Sequence, residues 1–443
     1  MFILPEIVNT VLEELNAAGF EAYLVGGCVR DHYLGKTPQD YDITTNALPH
    51  QVKQVFLRYP VLETGLRHGT VTVLTESLSL EVTTYRADGQ YSDGRHPDSV
   101  CFSQDLTEDL MRRDFTINAM AYHPAAGLID PFGGQRDLQQ RQIKAVGEAR
   151  QRFSEDSLRI LRALRFASCL GFSLERETEQ AALTEKERLQ KVSAERFCAE
   201  LIKLLCGCQV KRVLLDYPEI LGVWLPELLP MVGFDQKNCH HIYSVWEHTA
   251  VTTASIPPEP ALRLSALLHD IGKPNTFLLD SQGTGHFYGH CQESLRIAQR
   301  ILPRLRLDKK TSDRILTLIR YHDTPLKNEP RLIKRRLNRL GADCFFDLIL
   351  LQKADNMGQS PEYRSRQQQL DHIQTVAIEI MNAQDCFSLK NLAVSGEDLI
   401  RLGYRPGPAI GRMLNQLLEM VIDGRLPNEK SLLLKQAQEK KQS

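Results

Sequence analysis

The sequence predicts an α+β fold, a small mixed α/β head followed by an all-helical remainder, and three observations carry that prediction. Runs of β-branched and aromatic residues cluster within the first 150 residues. From Glu155 onward apolar residues recur at helical spacing, and Pro and Gly break the helical part at two places. The 443 residues, 42% hydrophobic and 25% charged, are enough for about three domains and exclude a disordered or fibrous chain. No window approaches the roughly 18 consecutive apolar residues of a membrane span. The start MFILPEIVNTVLEEL lacks the basic flank and cleavage site of a signal peptide, so a cytoplasmic location is expected. Ten cysteines without a CxxC pair read as reduced, mostly structural thiols. A net charge of -1 excludes coating of nucleic acid by bulk electrostatics. Locally, however, Arg296 to Arg339 holds fourteen Lys and Arg against four Asp and Glu, which suits either a nucleic-acid contact or a solvated helical face.

In chain order, an amphipathic helix is expected near Ile7 to Ala18 and a strand at Ala22 to Val25. Further strands are expected at Tyr41 to Thr44, Thr70 to Thr75 and Leu80 to Tyr85. RADGQYSDGRHP, from Arg86 to Pro97, is poor in aliphatics and reads as a mobile surface loop. EDSLRILRALRFA and ERFCAELIKLL are helical, and PEILGVWLPELLPMVGFDQ separates them from a second helical region that holds most of the histidines. A further boundary falls near Gly358 to Tyr363, before a helical tail. No solenoid-period repeat is visible.

The head carries the first chemistry. In YLVGGCVRDHYLG a strand runs into Gly26 and Gly27, which let the backbone approach an anion, and Arg30 follows on a helix; a plain tight turn is the alternative. Asp40 and Asp42, alternate residues of a strand, point to one face, where two carboxylates repel unless cations neutralise them. Two Mg²⁺ ions would suit them and hold the attacking and leaving oxygens of a phosphoryl or nucleotidyl transfer; an Asp turn is the alternative. Glu81 is the best candidate for a third carboxylate. In DLMRRDFTINAMAY, Asp114 is placed to cap a helix or to bond ribose hydroxyls, and Arg113 to reach a triphosphate.

SEDSLRILRALRFA places Asp156, Arg159, Arg162 and Arg165 in steps of three, which predicts one helix face bearing a carboxylate and a row of guanidiniums. An ion-paired surface helix would look the same. As a reader of bases, an Asp only accepts hydrogen bonds and an Arg only donates them, which matches the amino group and ring acceptor of cytosine or adenine. Guanine and uracil present the reverse pattern and would leave buried groups unpaired.

Taken in order, GGCVRD with DYD, ETGLRHGTVTV, EVTTYRADGQYSDGRHPD, RRDFTINAMAY, DPFGG and EDSLRILRALRF resemble the class II tRNA nucleotidyltransferases, the CCA-adding enzymes. They resemble the bacterial poly(A) polymerases more distantly. The resemblance implies a nucleotidyltransferase-type head, Asp40 and Asp42 as metal ligands, and Gly27, Arg30 and Arg113 on the nucleotide. It also implies Asp156 with Arg159 as the amino-acid template for the base, and Arg162 and Arg165 as further nucleotide contacts. The implied reaction adds CCA to tRNA from CTP and ATP, with Arg86 to Pro97 matching the family's flexible loop. An A-only enzyme with a separate CC-adding partner shares these features.

A second pattern comprises His248 in WEHTAV, His269 and Asp270 in LLHDIGKP, His290 in YGHCQES, His322 in IRYHDTP and Asp355 in KADN. Imidazole with carboxylate suits divalent transition metals. The pattern resembles the HD-superfamily phosphohydrolases, which implies that His248, His269, Asp270 and Asp355 bind one unidentified divalent metal and that His290 and His322 complete a second site. A helical platform without turnover, and a phosphohydrolase whose head only binds RNA, are the alternatives. The expected domains are a catalytic head at 1–150, a helical neck with the base template at 151–230, the HD domain at 231–360 and a tRNA-binding body and tail at 361–443.

Overall fold

The computed structural model describes residues 4–88 and 100–442. They divide into two units, Met1–Gln209 with Asp216–Pro226, and Val210–Leu215 with Glu227–Ser443. Among the described residues no helix is long and apolar enough to cross a membrane.

The first unit opens on α1 (Glu6–Ala17), in which Val8, Val11, Leu12 and Leu15 recur at helical spacing and are buried. β1 (Ala22–Val25), α2 (Gly27–Tyr33), β2 (Asp42–Thr45) and α3 (Pro49–Val55) follow. β3 (Val61–Gly65), β4 (Thr70–Leu74) and β5 (Ser79–Thr84) pair antiparallel in sequence. Burial alternates along β4 and β5, the period of strands with one face on a core. β6 (Arg86–Asp88) pairs with β7 (Val100–Phe102), so the expected surface loop begins as a strand; its part from 89 to 97 lies outside the described residues. α4 (Leu106–Met111), β8 (Ala121–His123), β9 (Gly127–Ile129), α5 (Gly134–Gln139) and β10 (Gln142–Ile143) complete the head.

The main sheet runs β3-β4-β5-β2-β1-β8-β9. β2 pairs with β5 in parallel and with β1 antiparallel, which sets Val25 beside Asp42 and Asp42 beside Glu81. Cross-strand partners share a sheet face, so the register puts the Asp42 and Glu81 carboxylates side by side. The alternate spacing predicts Asp40 and Asp42 on one strand, but Asp40 lies in the segment before β2 and off the strand.

After Glu155 strands shrink to two-residue pairs. α6 (Ala149–Glu155), α7 (Leu158–Leu170), β11 (Ser173–Leu174), α8 (Arg176–Thr184), α9 (Ala194–Leu205), α10 (Val210–Asp216) and α11 (Pro218–Gly222) come in turn. α7 and α9 pack on each other.

The second unit is helical. α12 (Val245–Ser255) and α13 (Pro260–Leu268) lead into α14 (Lys273–Thr276) and the pair β12 (Leu278–Leu279) and β13 (Gly285–His286). α15 (His290–Arg304), α16 (Lys309–Tyr321), α17 (Pro330–Leu340), α18 (Ala342–Met357) and α19 (Arg366–Asn382) follow. Every residue from Ala261 to Leu268 is buried, as an apolar helix at the centre of a bundle must be. Leu318, Ile333, Phe345, Leu348 and Ile373 belong to one apolar cluster. A second cluster forms around Leu399, Leu417 and Leu433 from α20 (Gly396–Arg401), α21 (Pro408–Ile422) and α22 (Lys430–Gln442). The basic run from Arg296 to Arg339 is partly neutralised from outside itself. Arg304 pairs with Glu227, Arg314 with Asp347 and Glu259, Lys334 with Asp385, and Arg335 with Asp423.

The first turn of α5 depends on a missing side chain. A Cβ on Gly134 would stand 2.2 Å from the Thr116 carbonyl oxygen and 2.8 Å from Met120 Cγ. Gly134→Ala is expected to destabilise the first unit by about 1–3 kcal/mol, the cost of overpacking a filled core. Thermal unfolding of the full chain measures it, and an unchanged midpoint would show that the turn can give way.

Candidate active site and candidate metal centre

The head's site begins where β1 ends. Gly26 has φ 74° and ψ -130°, a conformation that favours glycine. A Cβ there would lie 3.2 Å from Arg113 Nη1 and 3.7 Å from Asp42 Oδ2, so the bare backbone is what admits both side chains. Burial pushes the Asp42 carboxyl above its ordinary range; Arg113 pulls it back, and the charges of Glu81 and Asp40 push it further up. Such mutually repelling carboxylates fit a divalent cation, which would relieve the repulsion.

Asp42 borders a cleft of about 420 Å³. Gly26, Gly27, Arg30, Arg113, Asp114, Asp156, Arg159, Arg162 and Arg165 line it as well, so most of the head residues singled out in the sequence meet on one wall. Asp40 and Glu81 are not on that wall. Arg112, Asn118, Phe166 and Arg196 are, and sequence reasoning missed them. Carboxylates behind the cleft hold its guanidiniums in place. Asp109 pairs with Arg112 at 2.8 Å and Arg113 at 3.3 Å, and Glu200 with Arg165 at 2.6 Å. Arg165 also stacks 3.9 Å from the Phe166 ring centre. Asp114 does not cap the turn Thr116–Asn118, whose N-cap is Phe115; its Oδ1 accepts from Phe115 N and Asn118 Nδ2, and its other oxygen accepts from Arg162 at 2.6 and 2.9 Å. Burial works against that charge, but Arg162 and Asn118 overcome it and hold the carboxyl down at about 2.

The stretch from Asp156 to Arg165 departs from the expected row. Asp156 ends α6 with extended backbone, and α7 begins only at Leu158, so Asp156 does not share a helix with the arginines. Steps of three in a helix of 3.6 residues per turn drift by about 60° each, and the arginines fan out. Arg159 turns toward Glu155 at 2.7 Å and the Arg112 carbonyl at 2.9 Å, Arg162 toward Asp114 and Arg165 toward Glu200. Asp156 Oδ2 instead accepts from Arg196 of α9 at 2.7 Å, and Oδ1 accepts from Leu158 N. Forty residues separate Asp156 from Arg196, so no local spacing could have signalled the pair.

The second unit gathers these histidines and aspartates from five helices. His248 sits on α12, His269 and Asp270 at the end of α13, His290 at the start of α15, His322 at the end of α16 and Asp355 on α18. The donor atoms of His248, His269, Asp270 and Asp355 lie within 4.8 Å of one another, and all four residues are buried. His290, His322 and Cys291 form a second such set; Cys291 was not singled out in the sequence. Each histidine directs Nδ1 at a backbone carbonyl: His248 at Gly358 (3.1 Å), His269 at Ala266 (2.7 Å), His290 at Phe287 (2.9 Å) and His322 at Ile319 (2.7 Å). A carbonyl only accepts, so Nδ1 carries the hydrogen and four Nε2 lone pairs face inward. Pairs of Nε2 atoms confront each other at 3.3 Å, His248 with His269 and His290 with His322. Inward lone pairs beside buried carboxylates fit divalent cations. Burial alone would lower His269, but Asp270 and Asp355 overcome it and raise it to about 9, a proton standing in for a cation.

A cleft of about 360 Å³ opens over both sets and is also lined by His241, Lys273 and Gln359. Lys273 Nζ lies 2.7 Å from Asp270 Oδ2 and donates to Gln236. Burial, helped by Lys273, depresses His241 to about 3, so it is a neutral imidazole on the wall.

Three family models match the chain. They are the Poly A polymerase head domain over residues 22–144, the RNA and SrmB-binding site of polymerase A over 171–231, and tRNA nucleotidyltransferase domain 2 over 290–437. A CCA-adding enzyme of Lactobacillus johnsonii is 50% identical over 434 residues, 97% of each chain. One of Lacticaseibacillus paracasei is 36% identical, over 98% of this chain and 96% of its own. Among solved structures, the Bacillus stearothermophilus CCA-adding enzyme in complex with CTP matches with a TM-score of 0.72 at 28% identity, over 98% of this chain and 97% of that one. The Thermotoga maritima CCA-adding enzyme complexed with tRNA shares the fold, with a TM-score of 0.60 at 20% identity over 99% and 96%.

Two outcomes are expected from these geometries. Because the Asp114 carboxyl is held below its unfolded value, its ion pair stabilises the fold above about pH 4 and is lost as the pH falls through about 2. Asp114→Asn should therefore cost about 2 kcal/mol at pH 7. In urea unfolding that difference should shrink below pH 4; a gap independent of pH would refute the electrostatic origin. Gly358 is the second case, since a Cβ there would lie 2.5 Å from His248 Nδ1. Gly358→Ala should turn His248 aside and weaken Mn²⁺ binding in calorimetry by about 10- to 100-fold, the range for lost outer support of a ligand.

Proposed function

The chain belongs to the CCA-adding enzyme family, and we propose that its first unit builds the CCA end of tRNA from CTP and ATP while its second unit carries a separate phosphoester-cleaving centre. The family uses divalent cations, and Mg²⁺ is the ion we assign to Asp40 and Asp42, with Glu81 beside them. The observation that carries the reading is Asp42, a carboxylate that borders an arginine-lined cleft and faces Glu81 across the sheet. When bound, a pair of such cations supplies positive charge to the attacking 3′-hydroxyl oxygen and to the departing pyrophosphate.

The protein's own groups do the rest. Gly26 and Gly27 bring bare backbone to the triphosphate, and Arg30, Arg113, Arg162 and Arg165 offer donors to its oxygens and the sugar. Asp31, Asp109, Asp114 and Glu200 keep those guanidiniums oriented before substrate arrives, so less ordering remains to be done on binding. Asp156 accepts from the amino group of cytosine or adenine and Arg159 donates to the ring acceptor, which requires Arg159 to leave Glu155. Arg196 steadies Asp156 as a positioning residue. The tRNA 3′-oxygen then bonds to the α-phosphorus, the bond to pyrophosphate breaks, and the hydroxyl proton passes to solvent or Glu81.

In this reading residues 1–150 are the catalytic head, 151–230 the base-reading neck, 231–360 the HD-type domain and 361–443 the body and tail that hold tRNA. Lys327, Arg336 and Arg339, around a cavity of about 320 Å³, are suited to phosphates of the acceptor end and elbow. Partnership with tRNA supports a cytoplasmic location. In the second centre, a bound divalent cation would polarise a phosphoryl oxygen, and Lys273 and His241 line the space a phosphoester would enter.

Transcripts ending before CCA, after C and after CC, incubated with each nucleotide and Mg²⁺, test the transferase. Completion of CCA on the shortest, with GTP and UTP ignored, is expected; extension of the CC-ending transcript alone would overturn full CCA addition. Asp42→Ala should lower addition by more than about a hundredfold and leave hydrolysis of p-nitrophenyl phosphoesters intact. His269→Ala should do the converse; loss of addition in a folded His269→Ala protein would refute two separate centres. Arg196→Ala should raise KM for CTP and ATP and relax rejection of UTP, read from kcat/KM ratios, while an unchanged ratio would dismiss its positioning role.

A further inference from the structure

The division of Asp270 between two groups of donors points to more than one ion in the second unit. Its Oδ2 lies 3.4 Å from His248 Nε2 and 3.2 Å from His269 Nε2, whereas its Oδ1 lies 3.6 Å from His290 Nε2 and 3.5 Å from His322 Nε2. One carboxylate thus offers one oxygen to each histidine pair, as a bridging ligand does. Beside the second pair stands a sulfur, with Cys291 Sγ 3.5 Å from His290 Nε2 and within 4.8 Å of the other donors of its set.

These separations can be compared with what an ion would impose. Zinc bonds of about 2.0–2.1 Å to nitrogen and 2.3 Å to sulfur at tetrahedral angles put two ligating nitrogens about 3.3 Å apart, and a nitrogen and a sulfur about 3.6 Å apart. The observed values are 3.3 Å for His290 and His322, and 3.5 Å for His290 and Cys291. The imidazole tautomers agree, since both Nδ1 atoms are tied to the carbonyls of Phe287 and Ile319 and both Nε2 lone pairs face the sulfur and Asp270.

We propose that His290, His322, Cys291 and Asp270 Oδ1 form a thiolate-containing position for Zn²⁺ or a similarly soft divalent ion, bridged through Asp270 to the position of His248, His269 and Asp355. The proposal rests on the reading of the latter cluster as a metal centre and makes the two positions unequal. The first offers nitrogen and oxygen only. The second adds a thiolate, which favours Zn²⁺ over Mg²⁺ or Mn²⁺. As the sulfur bonds the ion, the thiol proton leaves to solvent.

The test uses the metal-stripped full chain carrying Asp40→Ala and Asp42→Ala, so that ions in the head are not counted, titrated with Co²⁺. Two Co²⁺ per chain and an intense near-ultraviolet sulfur-to-cobalt charge-transfer band are expected. Zn²⁺ should abolish that band, and excess Mg²⁺ should not. Cys291→Ser should remove the band and weaken one of the two ions by more than about tenfold, whereas His248→Ala should remove one ion and keep the band. A band that survives in Cys291→Ser, or two ions without a band, would overturn the proposal. One ion, lost in His248→Ala and giving no band, leaves the metal-centre reading standing and refutes the second position. No bound ion at all refutes both. Should the serine variant fail to fold, protection of Cys291 from iodoacetamide by Zn²⁺ but not by Mg²⁺, read by peptide mass in the unaltered chain, decides the same question.

Discussion

The register of β2 between β1 and β5 is the constraint on which the head depends. It brings Asp42 level with Val25 on one side and Glu81 on the other. A slip of one residue would turn Asp42 to the opposite face from Glu81 and disperse the charge that a cation is needed to balance. Gly26 completes the arrangement by leaving room for Arg113 beside Asp42.

A second theme is that charged groups are held by partners of opposite sign behind them. Asp109 and Glu200 are buried and Asp114 is partly buried, and each anchors guanidiniums of the cleft. Breaking such a pair leaves a buried charge without compensation, which costs more than the intact pair contributes. Arg112, Arg113, Arg162 and Arg165 are therefore held in direction before any nucleotide enters. In the second unit backbone carbonyls do the equivalent work, because each ties down one nitrogen of a histidine and aims the other.

The sequence was most informative where chemistry follows local spacing. The strand at Ala22 to Val25 is found at those residues, and β4 and β5 lie within a residue of their expected limits. The helical remainder was equally plain, since the 3.6-residue period is a property of each segment alone. His269 and Asp270 were visible as polar residues on an apolar segment, the resemblance to the HD superfamily added His248 and Asp355, and the four do meet. Spacing misled at Asp156, where a helix break removes it from the face of Arg159 and leaves Arg196 as its partner.

Residue types and their local periods thus determined the fold class, the glycine turn and the carboxylates at Asp40 and Asp42, and the family resemblance pointed to the histidines that converge in the second unit. Tertiary structure alone decided that Glu81 stands beside Asp42, that Arg196 holds Asp156, and that Cys291 joins His322 from a different helix. The physical reason is that these pairings are set by strand register and helix packing over separations of more than thirty residues, and no period within a single segment encodes them.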